Sequence, residues 1–129
     1  MTAAVSHLVY EQESFAIRGA VSAVYREMGA GFLEAVYQEC MEHELGSRRI
    51  PFRAREPIAL QYKGQPLSHP YLPDLVCYDR IIIEIKAVKA LTDEHRAQPL
   101  NYLRATGLHL GLLVNLCSYP KASVERIAE

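Results

Sequence analysis

The spacing of apolar residues in the first third of the chain predicts two amphipathic helices. In the first helix they recur every three or four residues and form one face, made of Ile17, Val21, Val24, Tyr25 and Met28. Gly29 and Gly31 interrupt this pattern, and a second helix is expected over residues 32–45. The inward stripe of this second helix is predicted to consist of Leu33, Val36, Tyr37, Cys40 and Met41.

Apolar runs rich in β-branched and aromatic residues predict strands in the rest of the chain. One is expected over residues 52–62, two more over residues 71–78 and 80–88, and a last one over residues 108–116. The second and third meet at Asp79 and form a β-hairpin. A helix is expected over residues 91–107, because Thr92 suits an N-cap and Gly107 a C-terminal stop. The pattern therefore predicts an α/β fold with a small mixed β-sheet flanked by α-helices.

The hairpin carries the most distinctive chemistry in the chain. Asp74 follows Pro73 in one strand, and Glu84 and Lys86 lie in the other. Mg²⁺ takes oxygen ligands and usually needs only one or two protein carboxylates beside substrate phosphate oxygens. A neighbouring ammonium group can orient a water molecule or offset developing charge, which suits Lys86. The alternative is a half-buried salt bridge on an edge hairpin.

Side-chain alternation decides which of these residues can meet. Glu84 and Lys86 share one face of their strand, while the other face is made of Ile81, Ile83, Ile85 and Ala87. Asp74 and Glu84 can face one cation only if both lie on the same face of the sheet, which a two-residue loop at Asp79 and Arg80 would prevent. We therefore predict either a three-residue connection, residues 78–80, or a bulge.

Polar residues on two helices are further candidates. Glu34 lies at the edge of the second helix's apolar stripe, where an unpaired carboxylate is costly. The alternative is that it occupies the helix's first turn, where the dipole favours a negative charge. In the last helix, His95, Gln98 and Tyr102 form one face directed toward the end of the hairpin. For Tyr102 alone, a core position with a satisfied hydroxyl is the simpler alternative.

These motifs together resemble a known protein family. The segment Gly31-Phe-Leu-Glu34-Ala-Val-Tyr37 matches the motif that names the GxxExxY family of small bacterial and archaeal proteins, a branch of the PD-(D/E)XK nuclease-like superfamily. Pro73-Asp74 and Glu84-Ile85-Lys86 match the core motif of that superfamily. Gln98-x-x-x-Tyr102 resembles the Gln/Tyr motif of the RecB-type exonuclease branch. The similarity extends over residues 13–115, which is nearly the whole chain.

The resemblance implies a restriction-endonuclease-like core and metal-dependent phosphodiester hydrolysis of nucleic acid. It implies Mg²⁺ or Mn²⁺ as the cofactor, held by Asp74 and Glu84. Lys86 would assist the attacking water, and Glu34, Gln98 and Tyr102 would support the site. The alternative is a catalytically impaired nucleic-acid-binding or assembly module that keeps the fold without the chemistry. DNA is favoured over RNA as the partner, and the resemblance leaves open whether two copies form a homodimer.

Two departures from the family pattern involve proline. Pro99 stands where the family usually has Leu after the glutamine, and proline lacks an N–H and disfavours α geometry in the residue before it. A kink at Gln98 is therefore expected. Residues 68–74 also contain Pro70 and Pro73, where the family usually approaches its aspartate through a simpler strand. Either change could displace a ligand of the site.

Length and composition set the remaining expectations. The chain of 129 residues fits a single domain spanning residues 1–129. Its three cysteines are widely separated, which argues against a disulfide framework and predicts buried thiols in a reducing cytoplasm. No segment has the length and hydrophobicity of a membrane span, so no membrane is expected as a partner.

Charge is unevenly distributed along the chain, although the net charge is only −1. Residues 1–45 contain two basic and seven acidic residues, while residues 46–129 contain twelve basic and eight acidic ones. A basic cluster that could hold nucleic-acid phosphates consists of Arg48, Arg49, Arg53, Arg55 and Lys63. Only Glu56 opposes these side chains within that stretch. The alternative is a solvated strand and loop.

Overall fold

The computed structural model describes residues 10–128 of the chain. Three helices are present in this part, namely α1 (Glu11–Met28), α2 (Glu34–Ser47) and α3 (Asp93–Thr106). The first four strands are β1 (Phe52–Ala54), β2 (Gln61–Tyr62), β3 (Gln65–Pro66) and β4 (Leu75–Cys77). The last three are β5 (Ile81–Lys86), β6 (Leu110–Asn115) and β7 (Ser123–Ala128).

Five of the strands form one mixed sheet in the order β1-β4-β5-β6-β7. The β5 and β6 strands are parallel, and each of the other neighbouring pairs is antiparallel. α3 makes the long crossover that a parallel pair requires. The remaining strands, β2 and β3, form a separate hairpin that turns at Lys63 and Gly64. The predicted α/β architecture, a small mixed sheet flanked by helices, is confirmed.

The β5 strand separates the two hydrophobic layers of the molecule. Ile81, Ile83 and Ile85 are buried in the larger core, which α1 and α2 cover. Ile82 points to the opposite face, where it packs with Tyr71 and with Leu103 of α3. The predicted alternation along β5 is therefore correct. Because Glu84 and Lys86 follow Ile82 at intervals of two residues, they lie on the α3 face of the sheet.

The junction between α1 and α2 is built by two glycines. Gly29 and Gly31 have φ angles of 71° and 115°, in a region that favours glycine. α1 buries the apolar face predicted for it, but the stripe predicted for α2 is wrong at Leu33. The Leu33 side chain is 77% exposed because it precedes the first turn of the helix. Leu45, near the other end of α2, is buried and belongs to the inward stripe.

α3 begins and ends where the sequence predicts. Thr92 accepts a hydrogen bond from the backbone N–H of His95, and Gly107 closes the helix in the left-handed conformation. Pro99 is buried inside the helix, which continues without interruption from Asp93 to Thr106. The expectation that proline would push Gln98 out of α geometry is therefore wrong. Packing of Pro99 into the core accompanies the loss of one backbone hydrogen bond.

Two strand predictions need correction. The single strand expected over residues 52–62 ends at Ala54, because Arg55 adopts a left-handed φ of 53° and turns the chain away from the sheet. Ile58 then forms an isolated bridge with Tyr71, which precedes β4. The edge strand β7 was not predicted, since its polar residues interrupt the apolar pattern. Within residues 10–128, no helix is long and apolar enough to cross a membrane.

Candidate active site

The connection between β4 and β5 has the length that the register argument requires. Cys77 pairs with Ile81, which leaves residues 78–80 as a three-residue loop. Tyr78 and Asp79 both take left-handed φ angles, 57° and 59°. Leu75 pairs with Ile83, so continuing this register by one residue places Asp74 opposite Glu84. The predicted three-residue connection is confirmed.

Asp74 is held directly before β4 by contacts to its carboxylate and its backbone. The Ile85 N–H donates to Oδ2 at 2.7 Å, and the Arg55 guanidinium donates to Oδ1 at 3.2 Å. The Gln38 amide of α2 donates to the Asp74 carbonyl oxygen at 2.9 Å. These contacts fix the orientation of the carboxylate while leaving further lone pairs on both oxygens.

Glu84 lies on β5 in a half-buried position. Its pKa is raised to about 7, first by burial and also by the negative charge of Asp74. A hydrogen bond from the Tyr71 hydroxyl and the positive charge of Lys86 act in the opposite direction. Asp74 and Glu84 are thus close enough to repel each other when both are charged. A cation between them would relieve this repulsion.

Tyr71 is a site residue that the sequence analysis missed. Its ring is stacked on the Tyr102 ring of α3, with a centroid separation of 3.5 Å and an interplanar angle of 7°. Burial and the Glu84 charge raise the pKa of the Tyr71 phenol, so the hydroxyl remains a donor at neutral pH. An aromatic residue three positions before Asp74 was the available signal. Only the hydrogen bond from the Tyr71 hydroxyl shows that this residue reaches Glu84, and the Ile58 bridge fixes the Tyr71 backbone.

The two α3 candidates lie on the same helix face. The Gln98 amide donates to the Tyr102 hydroxyl at 3.4 Å, so these side chains already meet in the presence of Pro99. Tyr102 touches the site through its stack on Tyr71. His95 was grouped with them in the sequence analysis, but its ring accepts the Thr92 N–H at 3.0 Å and caps the helix. That part of the prediction is wrong.

Lys86 and Glu34 flank the carboxylates from different directions. Lys86 is half-buried at the end of β5, two residues beyond Glu84 on the same face. Glu34 is the exposed first residue of α2, where the helix dipole favours its charge. With Arg55 and Asp74 it lines a cavity of about 400 Å³. Glu34 thus occupies the helix's first turn and also borders the candidate site.

The basic cluster predicted to bind nucleic acid is largely paired with acidic side chains. Arg48 contacts Glu44 at 2.6 Å, and Arg53 contacts both Glu56 and Asp79. Lys63 lies 5.4 Å from the centre of the Tyr62 ring, on the exposed β2–β3 hairpin. Of the cluster, which also includes Arg49, the structure brings Arg55 to the site cavity. A nucleic-acid contact by any of these residues stays a prediction.

The donor set at this site suits a hard divalent cation. Residues 10–128 contain no group of three or more His, Cys, Asp or Glu side chains that could hold a metal. Mg²⁺ nevertheless needs only one or two carboxylates when water and substrate oxygens complete its shell. Two such carboxylates are available, from Asp74 directly before β4 and from Glu84 on the neighbouring β5. Their chemistry therefore fits the cofactor that the sequence motif implies.

Comparison with known proteins agrees with this geometry. The crystal structure of SSO0001 is similar to this chain, with a TM-score of 0.59 and 18% sequence identity. The similarity covers 95% of this chain and 61% of that one, and it bears on the fold alone. No curated protein matches the chain. The family model described as the PD-(D/E)XK nuclease superfamily matches residues 11–127. The chain therefore belongs to the PD-(D/E)XK nuclease superfamily.

Proposed function

We propose that this protein is a divalent-cation-dependent phosphodiesterase that cleaves nucleic acid, with DNA favoured over RNA. The observation that carries the proposal is the hairpin register that brings Asp74 next to the Glu84 carboxyl group, with Lys86 two residues beyond Glu84 on the same strand face. Membership of a superfamily of nucleases, which generally use divalent metals, supports it. Mg²⁺ or Mn²⁺ is the proposed cofactor, with Asp74 and Glu84 as its protein ligands.

When bound, the cation supplies Lewis acidity toward a phosphoryl oxygen. The protein's own residues position the other participants. The Ile85 N–H fixes the Asp74 carboxylate, and the Tyr71 hydroxyl fixes Glu84. Lys86 carries a positive charge that can orient the attacking water and offset the negative charge that develops on the phosphate. Tyr71 is in turn held by its stack on Tyr102.

Arg55 gives the site a group that binds phosphate. Its guanidinium contacts Asp74 at 3.2 Å and lines the same cavity as Glu34. Guanidinium groups match the geometry of phosphate oxygens through two parallel N–H donors. We infer that Arg55 turns from Asp74 to a substrate phosphate when a cation takes over the charge of the carboxylate.

The motif at the α1–α2 junction favours the GxxExxY branch of the superfamily. Gly31 has a φ of 115°, which only glycine adopts readily. The buried Tyr37 accepts the Phe32 N–H at 3.2 Å and donates to the Gly29 carbonyl oxygen. These two residues fix the turn that starts α2, and Glu34 is thereby presented at the cavity. The spacing of the motif thus has a physical function in the proposed site.

A cleavage assay with matched variants tests the proposal. Purified protein is incubated with single- and double-stranded DNA and RNA while Mg²⁺, Mn²⁺ or EDTA is varied. The parent protein should cleave only with a divalent cation, and Asp74→Asn should remove the activity. Asp79→Asn is the matched control, because it makes the same change in the exposed turn at the other end of the hairpin.

Two results would contradict the proposal. Cleavage that survives EDTA or Asp74→Asn would show that this site is not responsible. If the parent protein binds nucleic acid without cleaving it, and Mg²⁺ does not raise its melting temperature, the chain is instead the catalytically impaired module. If the parent protein cleaves, the comparison of DNA with RNA in the same assay decides the substrate.

A further inference from the structure

A second concave surface lies away from the carboxylates, between α1 and the segment that connects β6 to β7. Its volume is about 990 Å³, larger than the cavity at Asp74. Three of its twelve lining residues are cationic, namely Arg18, Arg26 and Lys121, and none is acidic. We call this surface the α1–β7 groove. Its composition favours an anionic ligand.

The cations of the groove differ from most other arginines of the molecule in their partners. Within residues 10–128, Arg26 and Lys121 are exposed and form no ion pair with an Asp or Glu. Arg18 donates to the Val124 carbonyl oxygen at 3.3 Å, so its charge is not neutralised by that contact. By contrast, Arg48, Arg53 and Arg96 each contact a carboxylate. The groove therefore concentrates positive charge that no acidic side chain among residues 10–128 balances.

The groove and the candidate active site lie at the same end of the sheet. Lys86 pairs with Asn115 at the end of β6, and Asn115 pairs with Ser123 at the start of β7. The connecting segment leaves the sheet at this point, and the Tyr25 hydroxyl donates to the Ser118 carbonyl oxygen at 2.7 Å. Two strand spacings, about 10 Å, separate β5 from β7. Because Glu84 and Lys86 face α3 while the groove borders α1, one extended ligand reaches both surfaces around this end of the sheet.

The wall between the two surfaces is the junction of α1 and α2. The Gly31 N–H lies 3.3 Å from the Cys117 Sγ, so the turn that presents Glu34 packs directly on the segment that lines the groove. Both cavities border helices on the α1–α2 face of the sheet. This turn therefore lies between the residues that line the two cavities.

Tyr119 indicates which kind of anion fits. Its side chain is 89% exposed at the border of the groove, although burial of a tyrosine ring is normally favourable. An exposed ring beside cationic side chains is the arrangement that binds single-stranded nucleic acid, because unpaired bases stack on aromatic faces while phosphates contact Arg and Lys. Bases inside a duplex do not offer their faces in this way.

We propose that the α1–β7 groove binds a single-stranded segment of nucleic acid next to the cleavage site. Phosphates contact Arg18, Arg26 and Lys121, and one base stacks on Tyr119. The assignment of the ligand rests on the proposed function, but binding is measured without cleavage. The groove thus holds the strand that extends from the phosphodiester bond at Asp74 and Glu84.

The test measures binding of a fluorescent single-stranded oligonucleotide in EDTA over a range of salt concentrations. The double variant Arg26→Ala/Lys121→Ala should bind at least about tenfold more weakly. Its salt slope, the slope of log affinity against log salt concentration, should be smaller in magnitude by about 1.4, the value for two lost phosphate contacts to a single strand. Arg80→Ala is the control for charge, since Arg80 lies at the opposite end of β5. It should bind like the parent.

Substitutions of Tyr119 separate stacking from charge. Tyr119→Ala should weaken binding about fivefold or more without changing the salt slope, while Tyr119→Phe should retain the parent affinity. Parent-like binding by the double variant, or equal weakening by Arg80→Ala, would overturn the inference even if cleavage at Asp74 were established. If the parent binds through the groove but never cleaves, the inference stands and the proposed function fails. Absence of measurable binding by the parent also overturns it.

Discussion

Two glutamates in the same row of the sheet have opposite electrostatic surroundings. Glu84 on β5 pairs with Leu113 on β6, and Leu113 pairs with Glu125 on β7. Both carboxylates therefore lie on the α3 face, about 10 Å apart by two strand spacings. The pKa of Glu84 is raised to about 7, whereas the pKa of Glu125 is lowered.

The difference arises from the partners of each side chain. Arg96 of α3 holds Glu125 through two hydrogen bonds, Nε to Oε1 at 2.7 Å and Nη2 to Oε2 at 3.0 Å. Glu84 is more deeply buried and faces another carboxylate, and the hydrogen bond from Tyr71 only partly compensates. A negative charge is therefore unfavourable at Glu84 and favourable at Glu125. This contrast separates a candidate functional carboxylate from a structural one, and each of the following predictions tests it.

The largest expected effect is on cleavage. Glu84→Gln should lower the rate about 1000-fold or more, because it removes a cation ligand and its charge. It should not lower the melting temperature, because the amide ends the repulsion with Asp74. Glu125→Gln should cleave like the parent. Rates with Mg²⁺ and melting temperatures in EDTA check both statements, and equal rates for the two variants would remove the functional distinction.

The second prediction concerns stability as a function of pH in EDTA. The folded pKa of Glu84 is above its ordinary value of 4.5, so the folded state binds the proton more tightly than the unfolded state. The resulting stability is fully present below about pH 4.5 and is lost as the pH rises through about 7, for a total of about 3 kcal/mol. In Glu84→Gln, the free energy of unfolding, measured by denaturant titration, should change less with pH over this range. An unchanged slope would contradict the raised pKa.

The third prediction isolates the role of Tyr71. Its hydrogen bond lowers the pKa of Glu84, so Tyr71→Phe should raise that pKa. In a plot of cleavage rate against pH, the acidic limb should then shift to a pH about one unit higher, since a hydrogen bond to a charged group contributes about 1.5 kcal/mol or more. Tyr102→Phe retains the ring stack and should leave the profile in place. An identical dependence of cleavage rate on pH for the parent and Tyr71→Phe would contradict this role.

The smallest expected effect is at the structural carboxylate. Glu125→Gln should lower the free energy of unfolding by about 0.5 to 1 kcal/mol, because the pair with Arg96 is well aligned but partly exposed. The pKa of Glu125 is lowered in the folded state, so its contribution is present above its unfolded pKa and is lost as the pH falls. A denaturant titration at pH 7 and pH 3 checks this. A larger loss at pH 3 than at pH 7 would contradict the assignment.

The sequence predicts the elements that carry their own signals. Thr92 and Gly107 mark the ends of α3 through capping chemistry that acts within one turn. The three-residue connection before Ile81 follows from the requirement that Asp74 and Glu84 share a face. The sequence does not reveal β7, because an edge strand tolerates the polar residues that pair with α3. The sequence also gives a wrong expectation for Pro99, because α3 continues through this residue, whose ring is buried.

The sequence by itself determined the superfamily motif, the alternation along β5 and the three-residue connection that brings Asp74 toward Glu84, because these depend on residue type and on a period of two along the chain. The tertiary structure alone decided that Tyr71 reaches Glu84, that Arg55 enters the cavity and that Arg53 contacts Asp79. These contacts join segments that are distant in sequence or that lie beyond an irregular turn. Their positions follow from how the layers pack, which local patterns do not encode.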